Sequence, residues 1–301
     1  MKKLLIILLF TFSFSFFTPC IAQVWSAMDA GMSGGGNGCC PYVSAMQEYN
    51  NTLYAGGNFI QAGGIYGFVS IAQWSGVTWD SLPKGVWDTA GVWGRVGAFC
   101  VYNGNLIVGD ESGISYGYLP EWNGTSWSKL GPDSLFFGNR GNSGYGEAIN
   151  ALTTYNGNLV AAGYIDSIPG MYANNIAYWN GTSWNTFGSG LYGGKDTVIH
   201  YIAYARSVGA LAVYNGNLIA AGGFDSAGGT PARNIAMWNG SVWSPLGSGI
   251  NGIVYTLAVY NGNLYAGGIF DTAGGIPIHD IAIWNGISGV LLVEPSIEQG
   301  L

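Results

Sequence analysis

The motif Tyr-Asn-(Gly/Asn)-x-Leu occurs five times in this chain, and this repetition limits the possible folds strongly. The motif begins at Tyr49, Tyr102, Tyr155, Tyr214 and Tyr260, at intervals of 53, 53, 59 and 46 residues. Self-similarity with a period of this size is typical of chains built from one repeated supersecondary unit. The spacing therefore predicts five copies of one such unit.

Each copy contains a second motif, in which a Trp follows the Tyr by 20–25 residues and a second Trp stands five residues further on. The first Trp is followed by Asn-Gly, or by Ser-Gly in the first copy. The pairs are Trp74 and Trp79, Trp122 and Trp127, Trp179 and Trp184, and Trp238 and Trp243. The fifth copy has Trp284 but Gly289 in place of the second Trp.

Both motifs indicate β-hairpins. Asn-Gly between apolar runs favours a type I′ turn, which needs positive φ at both central residues. The second motif predicts another hairpin whose two Trp side chains pair across the strands. Low charge (8%), high aromatic content (15%) and 51 glycines agree with short strands and tight turns. Each copy is thus predicted to have four strands.

Four-stranded units repeated five times predict an all-β fold, a five-bladed β-propeller of antiparallel blades. Residues 25–32 resemble residues 243–250, and we interpret both stretches as fourth strands. We therefore predict that Trp25–Met32 pairs beside Ile281–Trp284 and closes the ring, which removes an open sheet edge. The alternative is that Gly289–Val293 supplies that strand.

The Ala-Gly-Gly, Ile-Ala-x-Trp-Asn-Gly-x-x-Trp and Leu-Gly-x-Gly patterns resemble the kelch-like propeller repeats of secreted bacterial proteins. The resemblance covers residues 24–290 and implies the fold much more than an activity. Such chains in Bacteroidetes-type bacteria often end in a sorting domain for type IX secretion. Residues 291–301 would be the tail or linker before one, and either that domain is lost or export takes another route.

Residues 1–23 are predicted to be a signal peptide, because Lys2 and Lys3 precede the apolar run Leu4–Phe17. The alternatives are an uncleaved anchor and a lipid anchor on Cys20. We expect a secreted or cell-surface protein, monomeric and not inserted in the membrane after cleavage. The mature chain has 7 basic and 16 acidic residues and no basic cluster, so nucleic acid is a poor partner.

Three cysteines remain in the mature chain. Cys39 and Cys40 could form a vicinal disulfide, or one of them could pair with Cys100. Cys100 occupies a position that Ala212 and Ala258 fill in other copies. This equivalence favours a small buried hydrophobic residue at position 100.

The predicted blades have two different faces. One, the turn face, holds the tight Tyr-Asn-Gly and Trp-Asn-Gly turns. The other, the linker face, holds the Ala-Gly-Gly connections and the variable linkers between copies, where recognition usually occurs. We predict that aromatic and polar side chains of this face bind a glycan or an extracellular protein. These candidates are Trp87, Asp88, Trp93, Arg95, Arg140, Tyr145, Glu147, Tyr192, Lys195, Asp196 and Tyr201.

Two alternatives to a binding module remain open. A structural or adhesive surface protein would use its blade edges or a further domain. A glycosidase-like enzyme would need two carboxyl groups near the central axis, and the innermost strands contain only Glu48, beside a tight turn. Two histidines are too few for a copper site. We therefore predict no catalytic residue, no metal and no cofactor.

Overall fold

The computed structural model describes residues 27–34, 40–67, 70–83, 94–111, 118–131, 148–193, 207–284 and 286. Every helix or strand in these residues is a β-strand. The first strands are β1 (Met32–Ser33), β2 (Tyr42–Tyr49), β3 (Thr52–Asn58), β4 (Gln61–Ala62), β5 (Ile65–Tyr66), β6 (Ile71–Trp74) and β7 (Trp79–Asp80). The next four are β8 (Val96–Tyr102), β9 (Asn105–Asp110), β10 (Leu119–Trp122) and β11 (Trp127–Leu130).

The third and fourth repeats continue the series. Their strands are β12 (Ala148–Tyr155), β13 (Asn158–Tyr164), β14 (Ser167–Ile168), β15 (Met171–Tyr172), β16 (Ile176–Trp179), β17 (Trp184–Thr186), β18 (Leu191–Tyr192), β19 (Val208–Tyr214), β20 (Asn217–Gly222), β21 (Ser226–Ala227), β22 (Thr230–Pro231), β23 (Ile235–Trp238) and β24 (Trp243–Pro245). The fifth has β25 (Ile253–Tyr260), β26 (Asn263–Ile269), β27 (Thr272–Ala273), β28 (Ile276–Pro277) and β29 (Ile281–Trp284).

Each repeat forms one antiparallel sheet, which we call a blade. Blades 1 to 4 have the four strands expected: β2-β3-β6-β7, β8-β9-β10-β11, β12-β13-β16-β17 and β19-β20-β23-β24. Blade 5 has three described strands, β25-β26-β29. The sequence did not predict the small hairpins β4-β5, β14-β15, β21-β22 and β27-β28, which lie in the Ala-Gly-Gly connections. In three of these hairpins the turn is a pair of glycines with positive φ, as at Gly228 and Gly229, and in β14-β15 the turn is Pro169-Gly170.

The Tyr-Asn-Gly turns confirm the predicted geometry, because both central residues have positive φ, for example 48° at Asn215 and 75° at Gly216. The Trp-Asn-Gly turns do not have the predicted two-residue geometry. Trp122 pairs directly with Trp127, so the loop has four residues. The side-chain oxygen of Asn123 accepts hydrogen bonds from the backbone N–H groups of Thr125 and Ser126. Asn is therefore needed there as an acceptor, not for positive φ.

The cross-strand Trp pairs are confirmed in blades 1 to 4. Their ring centroids lie 5.2, 5.1, 5.8 and 5.5 Å apart, within the range that favours aromatic contact. The four pairs are Trp74–Trp79, Trp122–Trp127, Trp179–Trp184 and Trp238–Trp243.

The hydrophobic core lies between consecutive blades. The first strands β2, β8, β12, β19 and β25 pack on one another in chain order. Small residues of one blade make room for large ones of the next: a Cβ added to Gly56 would lie 2.4 Å from Cγ1 of Val96. Ile149 fills the equivalent space over Gly109. A β-bulge near the start of each first strand, such as that between Val96 and Ala98, recurs in all five blades.

The cysteine prediction holds at position 100. The Cys100 side chain is 8% exposed and belongs to the core between blades 2 and 3. Burial raises the pKa of its thiol to about 11. Cys40 is exposed and is not bonded to Cys100, while Cys39 lies outside the described residues.

The predicted pairing of Trp25–Met32 with Ile281–Trp284 is wrong at its described end. Met32 pairs with Ala62 and Ser33 with Gln61, so this end of the segment joins blade 1. The reason is visible in the repeat: Leu191 pairs with Ala227 and Ile250 with Ala273 in the same way. The segment after each fourth strand thus leads into the following blade. Residues 1–26 lie outside the described residues, so closure by Trp25 stays a prediction.

Blades 1 and 5 each have an open side in the described structure. The repeat Tyr is 4–6% exposed in the first four blades, whereas Tyr260 is 65% exposed. Val43 is 40% exposed, whereas the equivalent Val96, Ile149, Val208 and Val254 are at most 5% exposed. Each of these positions is covered by a neighbouring blade wherever one is present.

Candidate functional site

The linker face contains a cluster of polar side chains where blades 1 and 2 meet. Tyr42 begins β2, Arg95 directly precedes β8, Asp110 ends β9 and Glu111 follows it. Because the strands are antiparallel and their first strands are neighbours, these four residues come together at the same end of the blades. We call them the Tyr42–Glu111 cluster.

Hydrogen bonds hold this cluster in one arrangement. The Tyr42 hydroxyl donates to Oε1 of Glu111, and the Arg95 side chain also hydrogen bonds to Tyr42. The Glu111 N–H donates to the Arg95 carbonyl over 2.8 Å, and the Arg95 N–H donates to Oδ1 of Asp110 over 3.3 Å. Side chains from two blades are thus joined to one another and to the backbone that positions them.

Gly97 allows this close approach. A Cβ at position 97 would lie 2.5 Å from the Ile149 carbonyl oxygen and 3.0 Å from Cβ of Glu111. Any larger residue would displace the strand of blade 3 or the carboxylate of the cluster. The residue at the β-bulge therefore determines how closely the three blades converge here.

The electrostatics of the cluster make Tyr42 a hydrogen-bond donor. Burial, the hydrogen bond to Glu111 and the charge of Glu111 raise the pKa of the Tyr42 phenol, and Arg95 opposes this effect in part. The phenol therefore stays protonated at physiological pH. An arginine, two carboxylates and a phenol can form directed hydrogen bonds with hydroxyl or amide groups of a ligand.

Polar residues continue from this cluster along the inner strands. The Ser44 hydroxyl donates to the carbonyl of Val96, and Nδ2 of Asn150 lies 3.4 Å from Oγ of Ser207. A small pocket beside Arg95 is also lined by Ser70, Gly94 and Asp110. The linker-face ends of the first strands therefore carry polar residues from blade 1 to blade 4.

Two of the eleven predicted site residues lie in the described structure. Arg95 belongs to the cluster. Tyr192 lies in β18, is 42% exposed and accepts a hydrogen bond at its carbonyl from the Asp225 N–H, between blades 3 and 4. The structure therefore places these two residues on the same face but at different blade junctions. The other nine lie outside the described residues: Trp87, Asp88, Trp93, Arg140, Tyr145, Glu147, Lys195, Asp196 and Tyr201.

The sequence analysis missed Tyr42, Asp110 and Glu111. A signal for two of them existed, because Asp110 and Glu111 stand where other copies have Gly-Asn, Gly-Tyr, Gly-Gly or Gly-Ile. A pair of acidic residues at the end of the second strand is therefore a departure from the repeat that the sequence alone reveals. Tyr42 offered no such signal, since its partners are 53 and 69 residues away in the chain.

Two other features of the described residues bear on the chemistry of the chain: its possible metal ligands and the one acidic residue of the predicted innermost strands. In the described part of the chain, no three His, Cys, Asp or Glu side chains are close enough to hold a metal ion. Glu48 is exposed next to its turn, on the opposite face from the cluster. Within the same residues, no helix has the length and hydrophobicity of a membrane span.

Repeated antiparallel sheets that pack in chain order through their first strands are β-propeller blades, and this defines the fold class of the chain. No family model and no curated protein matches it. Three solved structures are similar. The computationally designed Ika8 protein is 17% identical, with a TM-score of 0.45, covering 83% of this chain and 60% of that one. The chain thus spans less than two thirds of the Ika8 length.

The other two structures share a similar level of identity. The WD40 β-propeller domain of Doa1 is 15% identical, with a TM-score of 0.45, covering 87% of this chain and 69% of the other. YjhT is also 15% identical, with a TM-score of 0.48, and 85% of each chain is covered. At these identities the likeness concerns the fold alone.

Proposed function

We propose that this protein is a secreted, non-enzymatic β-propeller that binds a glycan or an extracellular protein on its linker face. The observation that supports this most is the Tyr42–Glu111 cluster, in which charged and phenolic side chains from two blades meet on that face. The kelch-like repeat and the predicted signal peptide support the same proposal. Sugars and extended peptides both present the hydroxyl and amide groups that such a cluster can bind.

The proposed binding surface requires a closed ring of five blades, with blade 5 packed against blade 1. The open sides of these two blades are complementary by repeat position. Gly267 of blade 5 corresponds to Gly56 and Gly109, and Val43 of blade 1 corresponds to the Val96 and Ile149 that fill the space over those glycines. Tyr260 would be covered by blade 1, as Tyr49 is covered by blade 2. Closure would bury apolar surface that is otherwise exposed.

Binding of the mature protein, residues 24–301, to a glycan array and to a panel of extracellular proteins tests the proposal. Tyr42→Phe and Glu111→Gln each remove hydrogen-bonding groups with little change in shape. Glu48→Gln is the matched control, because it makes the same chemical change on the turn face. We expect a ligand whose affinity falls at least about tenfold in the first two variants and is unchanged in the control.

Two results would contradict the proposal. Equal loss in Glu48→Gln would mean that the effect is general and not specific to the linker face. The absence of any ligand for the unaltered protein would favour a structural or adhesive scaffold instead.

A further inference from the structure

The four small hairpins of the linker face expose one equivalent position, which we call the hairpin position. It is the second residue after the hairpin turn, and in chain order it is filled by Tyr66, Tyr172, Pro231 and Pro277. All four residues are exposed. The hairpin position therefore takes no part in the hydrophobic core of the described structure.

The backbone at the hairpin position accepts proline. In β21-β22, Ala227 pairs with Thr230 next to the turn, so the hydrogen bonds of this tight hairpin fall at that pair and Pro231 need not donate. Tyr66 has the same register, because it pairs with Gln61 one step beyond the turn. Folding of these hairpins therefore does not require an aromatic ring.

Tyr66 and Tyr172 nevertheless place such rings in solvent, since they are 73% and 77% exposed. Ile65 and Met171 beside them are exposed as well. Exposed apolar surface that packing does not explain marks an interaction site. Each patch is one ring and one aliphatic side chain, whereas a protein interface takes about 800 Å² per partner. A ligand that binds through single rings at separate points fits these patches better.

Polar side chains without charge lie on the same side as each ring. Directly paired residues of antiparallel strands project to one side of the sheet. Tyr66 pairs with Gln61, which pairs in turn with Ser33. The Ser33 hydroxyl donates to Oε1 of Gln61 over 2.5 Å. Tyr172 pairs with Ser167 in the same way, so each ring has hydrogen-bonding groups beside it.

This combination fits the pyranose ring of a sugar. The C–H groups on the face of a pyranose carry partial positive charge and are attracted to the negative face of an aromatic ring. The hydroxyl groups at its edge can exchange hydrogen bonds with Gln and Ser side chains. The neighbours of both rings are uncharged, and the mature chain has 16 acidic against 7 basic residues, so an acidic polysaccharide is disfavoured.

We propose that Tyr66 and Tyr172 are two equivalent stacking sites that bind a neutral polysaccharide on the linker face. This inference rests on the proposed function for the class of ligand, but it assigns the contact to residues outside the Tyr42–Glu111 cluster. Two equal sites on one scaffold give bivalent binding, whose affinity exceeds that of either site alone. A polysaccharide can occupy both sites because its sugar unit repeats.

Retention of the mature protein, residues 24–301, on insoluble cellulose, chitin, mannan, xylan and β-1,3-glucan tests the inference. Tyr66→Pro and Tyr172→Pro remove one ring each and introduce the residue that other hairpins have there, so Tm should not change. We expect the unaltered protein to bind at least one of these polysaccharides, and each variant to bind it at least about tenfold more weakly. Val77→Ala is the control, since Val77 is also 77% exposed but lies on the turn face.

The reverse substitution is a second test. Pro231→Tyr places a third ring at the hairpin position, where Ser226 is its paired neighbour. We expect binding to the same polysaccharide to strengthen by at least about threefold. Absence of a gain would mean that a ring at this position is not what the polysaccharide contacts, and the inference would fail.

The outcomes separate this inference from the proposed function. Binding that Tyr42→Phe weakens and Tyr66→Pro leaves unchanged would keep the cluster as the site and overturn the stacking sites. The opposite result would support the stacking sites and remove the cluster from the proposal. Retention on none of the polysaccharides would overturn the inference, whereas binding of an extracellular protein would still support the proposed function.

Discussion

The indole N–H of Trp243 lies 2.9 Å from the Phe187 carbonyl oxygen and ties the outer strand of blade 4 to the end of the outer strand of blade 3. Trp243→Phe removes this hydrogen bond and part of the buried ring. We expect a loss of about 2–3 kcal/mol in the free energy of unfolding, measured by chemical denaturation. Trp127→Phe is the comparison, because its bond to the Pro83 carbonyl is exposed and should matter by less than about 1 kcal/mol. Equal losses would contradict this role for the buried bond.

The Cys100 thiol should make stability depend on pH. Its pKa is raised from 9.0 to about 11 in the folded protein, so between these values the unfolded chain has lost a proton that the folded chain keeps. The stability that the neutral thiol contributes is therefore complete below pH 9 and is lost as pH rises toward 11.

The comparison with Cys100→Ala isolates this effect, because the tyrosines and Cys40 are the same in both proteins. Between pH 8 and pH 10, the unaltered protein should lose about 1 kcal/mol more than Cys100→Ala does. Chemical denaturation at a series of pH values measures the difference. Parallel curves would mean that the thiol titrates normally in the folded state.

Gly97→Ala should disturb both the blades and the Tyr42–Glu111 cluster. Gly97→Ala places a Cβ 2.5 Å from the Ile149 carbonyl oxygen and 3.0 Å from Cβ of Glu111, so the strand of blade 3 has to shift and Glu111 is crowded as well. We expect a loss of about 1–3 kcal/mol in stability together with weaker ligand binding. Gly94→Ala is the control, since its nearest neighbour would be 3.9 Å away and its φ is not positive. If both variants behave like the unaltered protein, the blades do not converge as tightly as described.

The local features of the fold could be predicted from sequence because they depend on neighbouring residues. Asn-Gly turns, paired Trp side chains and the buried Cys100 all follow from residue type and repeat position. The β-bulges could not be predicted, since Ser44, Gly97 and Asn150 share no residue type. The actual partner of Met32 was also missed, because the comparison considered the fourth strand and not the segment after it.

The candidate site was predicted less well for a different reason. Arg95 was identified from its position in a linker, but its partners Tyr42 and Glu111 come from other elements and meet it only when blades pack. Contacts between blades join residues about one repeat apart in the chain, and no motif of neighbouring residues in the sequence predicts such contacts. The departure from the repeat at Asp110 and Glu111 was the one signal available in the sequence.

The central claim about the fold, that the blades close into the ring on which the proposed binding surface depends, is tested most directly by the stability of Val43→Asp compared with Val213→Asp. Both valines are 40% exposed in the described structure. Closure would bury Val43 against blade 5, whereas the position of Val213 is exposed in other blades too, as at Val101 and Val259. We predict that Val43→Asp lowers the free energy of unfolding by at least about 2 kcal/mol more than Val213→Asp does, because a buried carboxylate is costly. Equal effects of the two substitutions would contradict a closed ring.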